Sequence, residues 1–197
     1  MSLIGRLRLP LVPLVVLLAV AGVTVAAASP RTSATGSFSY KTFTPSSVRL
    51  VDGTTIIDYM LTSVWTGTFS GTSIAQGTLI IRADGSTFNR GCDTFTGTVN
   101  GVPGTVTLME IGPGDSTSFH STDVIVSGSG DLANLHGVLT ALGTVTPTGL
   151  PTATYTGRIH FAEGDRRTER STIQADQALA TQSPGRCPIA ERFGGTA

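Results

Sequence analysis

The stretch Ile57-Asp58-Tyr59-Met60-Leu61-Thr62-Ser63-Val64-Trp65-Thr66-Gly67-Thr68-Phe69 decides the fold. Ile57, Tyr59, Leu61, Trp65 and Phe69 share one parity, while Asp58, Met60, Thr62, Thr66 and Thr68 share the other. Successive side chains of an extended chain point to opposite faces, so this is a half-buried strand with its bulky side toward a core. Gly77, Leu79 and Ile81 repeat the pattern against Thr78, Ile80 and Arg82, and Tyr155, Gly157, Ile159 and Phe161 repeat it against Thr154, Thr156, Arg158 and His160. From Gly36 to Phe161 no stretch of helical length has a clean apolar period of three to four.

Turn signals divide the run: Asp52-Gly53, Ser70-Gly71, Asp84-Gly85, Asn100-Gly101, Gly112-Pro113-Gly114-Asp115 and Thr148-Gly149-Leu150-Pro151. Asn100-Gly101 and Asp84-Gly85 are dipeptides of tight hairpins. The segments between turns lie near 36–44, 46–51, 55–69, 72–82, 86–99, 104–110, 118–127 and 137–146, with a ninth at 153–161 if 46–51 counts separately. Hairpins in sequence without helix-sized crossovers imply antiparallel pairing. About eight strands is the size at which such a sheet closes and loses its exposed edges. The expected fold is therefore all-β, an antiparallel up-and-down barrel over residues 36–162. The alternative, a sandwich, needs long Greek-key connections, which the body lacks.

The N-terminal residues give an address. Arg6 and Arg8 precede an apolar run from Leu9 to Val25 that ends in Ala26-Ala27-Ala28, the three-part pattern of a secretory signal cleaved between Ala28 and Ser29. An uncleaved membrane anchor is the competing reading, since the run approaches spanning length. Pro10 and Pro13 interrupt the helix that an anchor needs. The expectation is a signal peptide at 1–28, a disordered linker at 29–35 and a secreted or extracytoplasmic mature chain that leaves the membrane after cleavage.

Composition excludes two classes. Of 197 residues only 13 % are charged, thirteen Lys plus Arg against thirteen acids, and Lys41 is the single lysine. A neutral, charge-poor chain of this kind is neither an electrostatic nucleic-acid binder nor a charge-rich disordered segment. Without Arg6 and Arg8, eleven bases face thirteen acids, so the mature chain is mildly acidic.

Export also changes how Cys92 and Cys187 read. In an oxidising compartment this pair is expected to form a disulfide tying the C-terminal tail, 163–197, to the body. The alternative is two free thiols with Cys92 as a nucleophile, which the adjacent carboxylate of Asp93 opposes by raising the thiol pKa. The tail is read as helical or disordered: Ser171-Thr172-Ile173-Gln174 has the form of a capping box and predicts a short helix near 172–181. Arg166, Arg167 and Arg170 are offset there by Glu163, Asp165 and Glu169, which describes a solvated surface.

A family resemblance rests on segments arriving in a set order: Phe69-Ser70-Gly71-Thr72, Phe95-Thr96-Gly97-Thr98-Val99-Asn100-Gly101, Gly104-Thr105-Val106-Thr107-Leu108, Gly128-Ser129-Gly130-Asp131-Leu132-Ala133-Asn134-Leu135-His136-Gly137 and Tyr155-Thr156-Gly157-Arg158-Ile159-His160-Phe161. The chain resembles a bacterial domain-of-unknown-function family with an allene oxide cyclase-like barrel. The resemblance covers roughly Gly36 to Phe161 and implies that the Gly-Ser-Gly-x-Leu-x-x-Leu-x-Gly stretch turns between late strands. The sequence departs from the family in carrying His136 where arginine is more usual and in its Cys-bearing tail. No catalytic residue carries over. Independently of the family, Leu132 and Leu135 at a spacing of three would turn one helical loop inward and plug a barrel end.

Chemistry-bearing residues are sparse. His120, His136 and His160 lack metal-site spacing, His120 and Asp123 have opposite parity, and no cofactor motif is present, so no metal or cofactor is expected. A site assembled across separate strands stays open as an alternative. Glu110 is read as an isolated acid ending the apolar strand Val106 to Met109. Two functions follow. The first is a module binding a small apolar ligand against Tyr40, Tyr59, Trp65, Phe69, Phe95 and Tyr155, residues that equally suit an ordinary core. The second is a cofactor-free isomerase or cyclase on a lipid-like substrate, held in one conformation by the barrel. A third class is an envelope protein acting through its surface without a ligand.

Overall fold

The alternation of bulky and small polar residues continues through eight strands, and the sheet they form has no free edge. The computed structural model describes residues 30–146 and 149–162. The signal segment with its Ala28–Ser29 junction, the tail with Cys187 and the helix expected near 172–181 lie outside the described residues. The strands are β1 (Thr32–Val51), β2 (Thr54–Gly67), β3 (Phe69–Ile81), β4 (Thr87–Val99), β5 (Val102–Gly114), β6 (Ser118–Gly130), β7 (Leu135–Thr146) and β8 (Gly149–Phe161). Each pairs antiparallel with its sequence neighbour, and β1 pairs with β8 to close the barrel.

Several expected boundaries move. Residues 32–35 are not linker: Ala34 is fully buried, and Thr32 to Thr35 pair with Ile159 to Thr156, which makes them the seam of the barrel. The segments 36–44 and 46–51 belong to one strand, because β1 absorbs its irregularities as register shifts between Tyr40 and Thr42 and between Pro45 and Ser47. A bulge lets a strand bend around a barrel without ending it. The stretch 55–69 turns at Thr68, so Phe69 opens β3, and Ser70-Gly71 lie inside β3 opposite Thr98 and Gly97. No turn dipeptide marks that corner. It is fixed instead by the Thr68 amide donating to Thr35 O at 2.9 Å and by Gly67 at φ 102°, a conformation that favours glycine.

Asn100-Gly101 forms the expected two-residue hairpin, with φ of 51° and 83°. Asp52-Gly53 does the same at 48° and 75°. Asp84-Gly85 instead belongs to a longer loop closed by Arg82 N donating to Ser86 O, with Asp84 Oδ1 accepting from Ser86 N.

The barrel's two ends differ. At the end holding the Thr68, Asn100 and 131–134 turns, Phe38, Trp65, Phe69, Phe95, Val106 and Tyr155 pack together in the main core. Phe69 meets Phe95 and Tyr155 edge to face, with centroids 5.3 and 5.8 Å apart. Leu132 and Leu135, at 0 % and 1 % exposure, close this end as the sequence predicts. Three-residue hydrogen bonds from Leu132, Ala133 and Leu135 wind the plugging loop. The other end, between the 52–53, 82–86 and 115–117 turns, is open.

Candidate functional site

The site lies where the filled half of the barrel meets the open half. Inward positions follow the alternation: Asp93 precedes Phe95 by two residues, Glu110 follows Leu108 by two and Asp123 precedes Ile125 by two. Strand register then assembles them. Asp93 on β4 pairs with Leu108, Gly91 pairs with Glu110 on β5, and Glu110 pairs with Asp123 on β6. Three carboxyl groups therefore meet inside an apolar barrel. Among the described strand residues no Lys or Arg takes an inward position to offset them: Arg90 and Arg158 occupy outward parities, and Arg49 pairs with Asp58 on the outer wall at 2.8 Å.

The hydrogen bonds form two chains that end on these acids. In the first, Tyr59 Oη donates to Asn89 Oδ1 at 2.7 Å, and Asn89 Nδ2 donates to Glu110 Oε1 at 2.8 Å. In the second, Trp65 Nε1 donates to Ser73 Oγ at 2.9 Å, Ser63 Oγ lies 3.0 Å from the same oxygen, and Ser73 Oγ donates to Asp93 Oδ2 at 2.9 Å. Asp93 Oδ1 and Asp123 Oδ1 are buried with no hydrogen-bond partner. Their residues are only 6 % and 4 % exposed.

Burial sets the electrostatics, because a charged carboxylate loses its hydration in a low-dielectric interior. It pushes the Asp93 carboxyl up to about 7, with Ser73 pulling the other way and Asp123 adding to the rise. Burial, followed by repulsion from Asp123 and Asp93, holds Glu110 well above the ordinary carboxylate range. Asp123 is raised by burial as well. The phenols of Tyr40 and Tyr59 are raised first by burial and then by Glu110, so both remain hydrogen-bond donors at neutral pH.

Two cavities adjoin Glu110. The inner one, about 10 Å³, lies among Trp65, Leu108, Asp93, Glu110 and Asp123 and has room for at most a single water. The outer one, about 480 Å³, opens at the barrel mouth, walled by Tyr40, Phe43, Tyr59, Leu61, Leu79, Ile81 and Phe119, with Asn89 and Glu110 on its polar side and Asp115 and His120 among its lining residues. Its aromatics come in two stacked pairs: Tyr40 with Phe119 at 6.0 Å, and Phe43 with Tyr59 at 5.0 Å. The Phe119 ring lies against Gly143, where a Cβ would come within 1.9 Å of it, so the missing side chain on β7 makes room for this wall.

Of the six aromatics expected to contact a ligand, Tyr40 and Tyr59 line the outer cavity and Trp65 borders only the inner one. Phe69, Phe95 and Tyr155 are packed at the closed end with exposures of 0 %, 0 % and 1 %. Tyr155 has a further task there. Its Oη accepts from Phe69 N at 2.9 Å and donates to Thr66 O at 3.1 Å, bracing the β2–β3 corner. Glu110, read from sequence as the end of its strand, is in mid-strand and faces inward, because β5 runs on to Gly114.

His136 and His160 are register partners on β7 and β8, with rings 5.7 Å apart, and His120 is exposed. Among the described residues no three His, Cys, Asp or Glu side chains form a group suited to a metal ion. Cys92 takes the outward parity of β4 and is 5 % exposed, while its expected partner Cys187 lies outside the described residues. No helix among the described residues is long and apolar enough to cross a membrane.

Comparison with known proteins agrees with this architecture. The solved structure of a protein of unknown function from the DUF3224 family of Shewanella oneidensis MR-1 is similar to this chain, with a TM-score of 0.56 at 20 % identity over 68 % of this chain and 100 % of that one. No curated protein matches the sequence. The family model described as "Protein of unknown function (DUF3224)" matches residues 34–146, from early β1 to the end of β7. The chain belongs to the DUF3224 family, a bacterial domain of unknown function, and its fold is a closed antiparallel barrel of eight strands.

Proposed function

We propose that this protein is an exported β-barrel that binds a small, largely apolar molecule in the open end of the barrel. The observation that carries the reading is the cavity of about 480 Å³, with aliphatic and aromatic walls and few polar groups, converging on Asn89 and Glu110. Concave apolar sites with a few fixed polar groups are the usual form of small-molecule sites. The closed end is filled by side chains, so a ligand enters from the 52–53 and 115–117 side and stops at Glu110.

A neutral fluorescent probe, N-phenyl-1-naphthylamine, tests this. Saturable one-to-one binding is expected, weakened at least about tenfold by Leu79→Trp, which fills the cavity wall with a larger side chain. Absence of saturable binding, or binding indifferent to Leu79→Trp in a normally folded variant, contradicts the reading.

Export rests on the Arg6–Arg8 start, the Leu9–Val25 run and the Ala26–Ala28 end. A Cys92–Cys187 bridge accompanies it in this reading. Because Cys92 is on the outer parity of β4, the bridge would fasten the tail to the wall and leave the barrel mouth open. Intact mass of protein recovered outside the cytoplasm tests both: a chain starting at Ser29 that gains two hydrogens on reduction is expected. An unprocessed chain, or one unchanged by reduction, contradicts them.

A second reading, a cofactor-free isomerase or cyclase, draws support from one feature. Glu110 faces the cavity with its proton held toward neutral pH by burial and by its acidic neighbours. A carboxyl group so tuned is suited to exchanging a proton with a bound molecule. Turnover of a bound compound in wild type but not in Glu110→Gln would favour it, and binding without turnover across lipid-like substrates would count against it.

A further inference from the structure

The cavity carries information about the chemical class of its occupant. Its floor bears Glu110, and behind Glu110 stand Asp93 and Asp123, each more than nine-tenths buried with one carboxyl oxygen lacking a hydrogen-bond partner and lining the inner cavity that Glu110 also borders. The walls above Glu110 present the paired rings of Tyr40 with Phe119 and Phe43 with Tyr59. Aromatic faces carry negative electrostatic potential and attract ammonium groups, most strongly where water is scarce. A buried carboxylate without a cationic neighbour is costly and gains most from a cation brought to it. Rings and acids therefore select in the same direction.

We propose that the open end of the barrel is a receptor site for an organic cation, an amine or quaternary ammonium group on an apolar body, whose charged head sits at Glu110 among the four aromatic rings. This rests on the reading of the barrel mouth as a binding cavity and specifies its ligand. The aliphatic walls at Leu61, Leu79 and Ile81 receive the apolar body.

The groups that face Glu110 give the site a defined pH response. They are Asp93 from β4, Asp123 from β6, Tyr40 from β1 and Tyr59 from β2, with His120 and Asp115 toward the mouth. The acids raise one another's proton affinity, and the tyrosines stay neutral. At mildly acidic pH the Glu110 carboxyl is protonated, and an ammonium head meets a neutral acid. As pH rises and Glu110 loses its proton to solvent, the ion pair forms, while an alkylamine stays charged to about pH 10. Affinity for a cation therefore climbs between about pH 6 and 8, and affinity for a neutral analogue does not.

The test is calorimetric titration of the full-length mature protein with three compounds sharing one body: 4-phenylbutylamine, 4-phenylbutan-1-ol and 4-phenylbutyrate. The amine is expected to bind at least about tenfold more tightly than the alcohol at pH 8, the butyrate more weakly than either, and the amine's advantage to shrink at pH 6. In Glu110→Gln the amine should bind no more tightly than the alcohol, with a cooperative thermal melt showing that the variant is folded. Equal binding of amine and alcohol, or an amine preference surviving in Glu110→Gln, overturns the proposal while leaving an apolar site standing. If none of the three compounds binds and N-phenyl-1-naphthylamine does not bind either, both this proposal and the cavity reading fall.

Discussion

Asp93 shows how a single residue links the barrel's stability to its chemistry. Its carboxyl is held near 7 by burial, whereas the same group in the unfolded chain titrates near 3.8. Between those values the folded protein binds a proton that the unfolded chain has released, so unfolding free energy falls as pH rises from about 4 to about 7 and levels off above. Glu110 and Asp123 are raised too and act with the same sign. Asp93→Asn keeps an acceptor for Ser73 and removes the charge. It should be more stable than wild type by roughly 2–4 kcal/mol at pH 8 and nearly equal to it at pH 4. Denaturant melts at the two pH values check this, and a variant less stable than wild type at pH 8 would contradict it. The sequence held a signal for all three acids, since each lies two positions from a bulky inward residue. What alternation could not supply was the register bringing Asp93, Glu110 and Asp123 together, because that depends on pairing among three strands.

At the level of elements, alternation and turn chemistry carried most of the fold. The strands around Tyr59, Leu79 and Tyr155 follow directly from period two, and Asn100-Gly101 and the Leu132–Leu135 plug do what their residues imply. The β2–β3 corner was not legible. It is imposed from outside by the β1 carbonyl of Thr35 and the Tyr155 hydroxyl, both distant in sequence. The bulges of β1 were likewise hidden, because nothing in the sequence marks the extra residue at Lys41, and Pro45 looks like a break between strands until β2 is seen to pair across it. The corner gives a prediction. Tyr155→Phe leaves the Phe69 amide buried without its acceptor and removes the bond to Thr66 O, so it should cost about 1–3 kcal/mol while binding at the far end is unchanged. Thermal melts with a parallel binding titration check it, and unchanged stability would remove Tyr155 from this bracing role.

For the whole molecule, closure produces the asymmetry on which the proposed function rests. A sheet joined through β1 and β8 has an interior with two ends. One end is packed by Trp65, Phe69, Phe95 and the leucine plug, and the other is left open above three acids. The sequence showed many inward aromatics but not which end each would occupy, since that follows from position along each strand after the ring closes. In the proposed function the open end alone receives a ligand. Methyl-resolved NMR during titration with N-phenyl-1-naphthylamine tests it most directly. Saturable shifts are predicted at Leu61, Leu79 and Ile81, with Leu132, Leu135 and Val99 at the closed end unmoved. Saturable shifts confined to the closed end or the outer wall, or no saturable shifts, would contradict it.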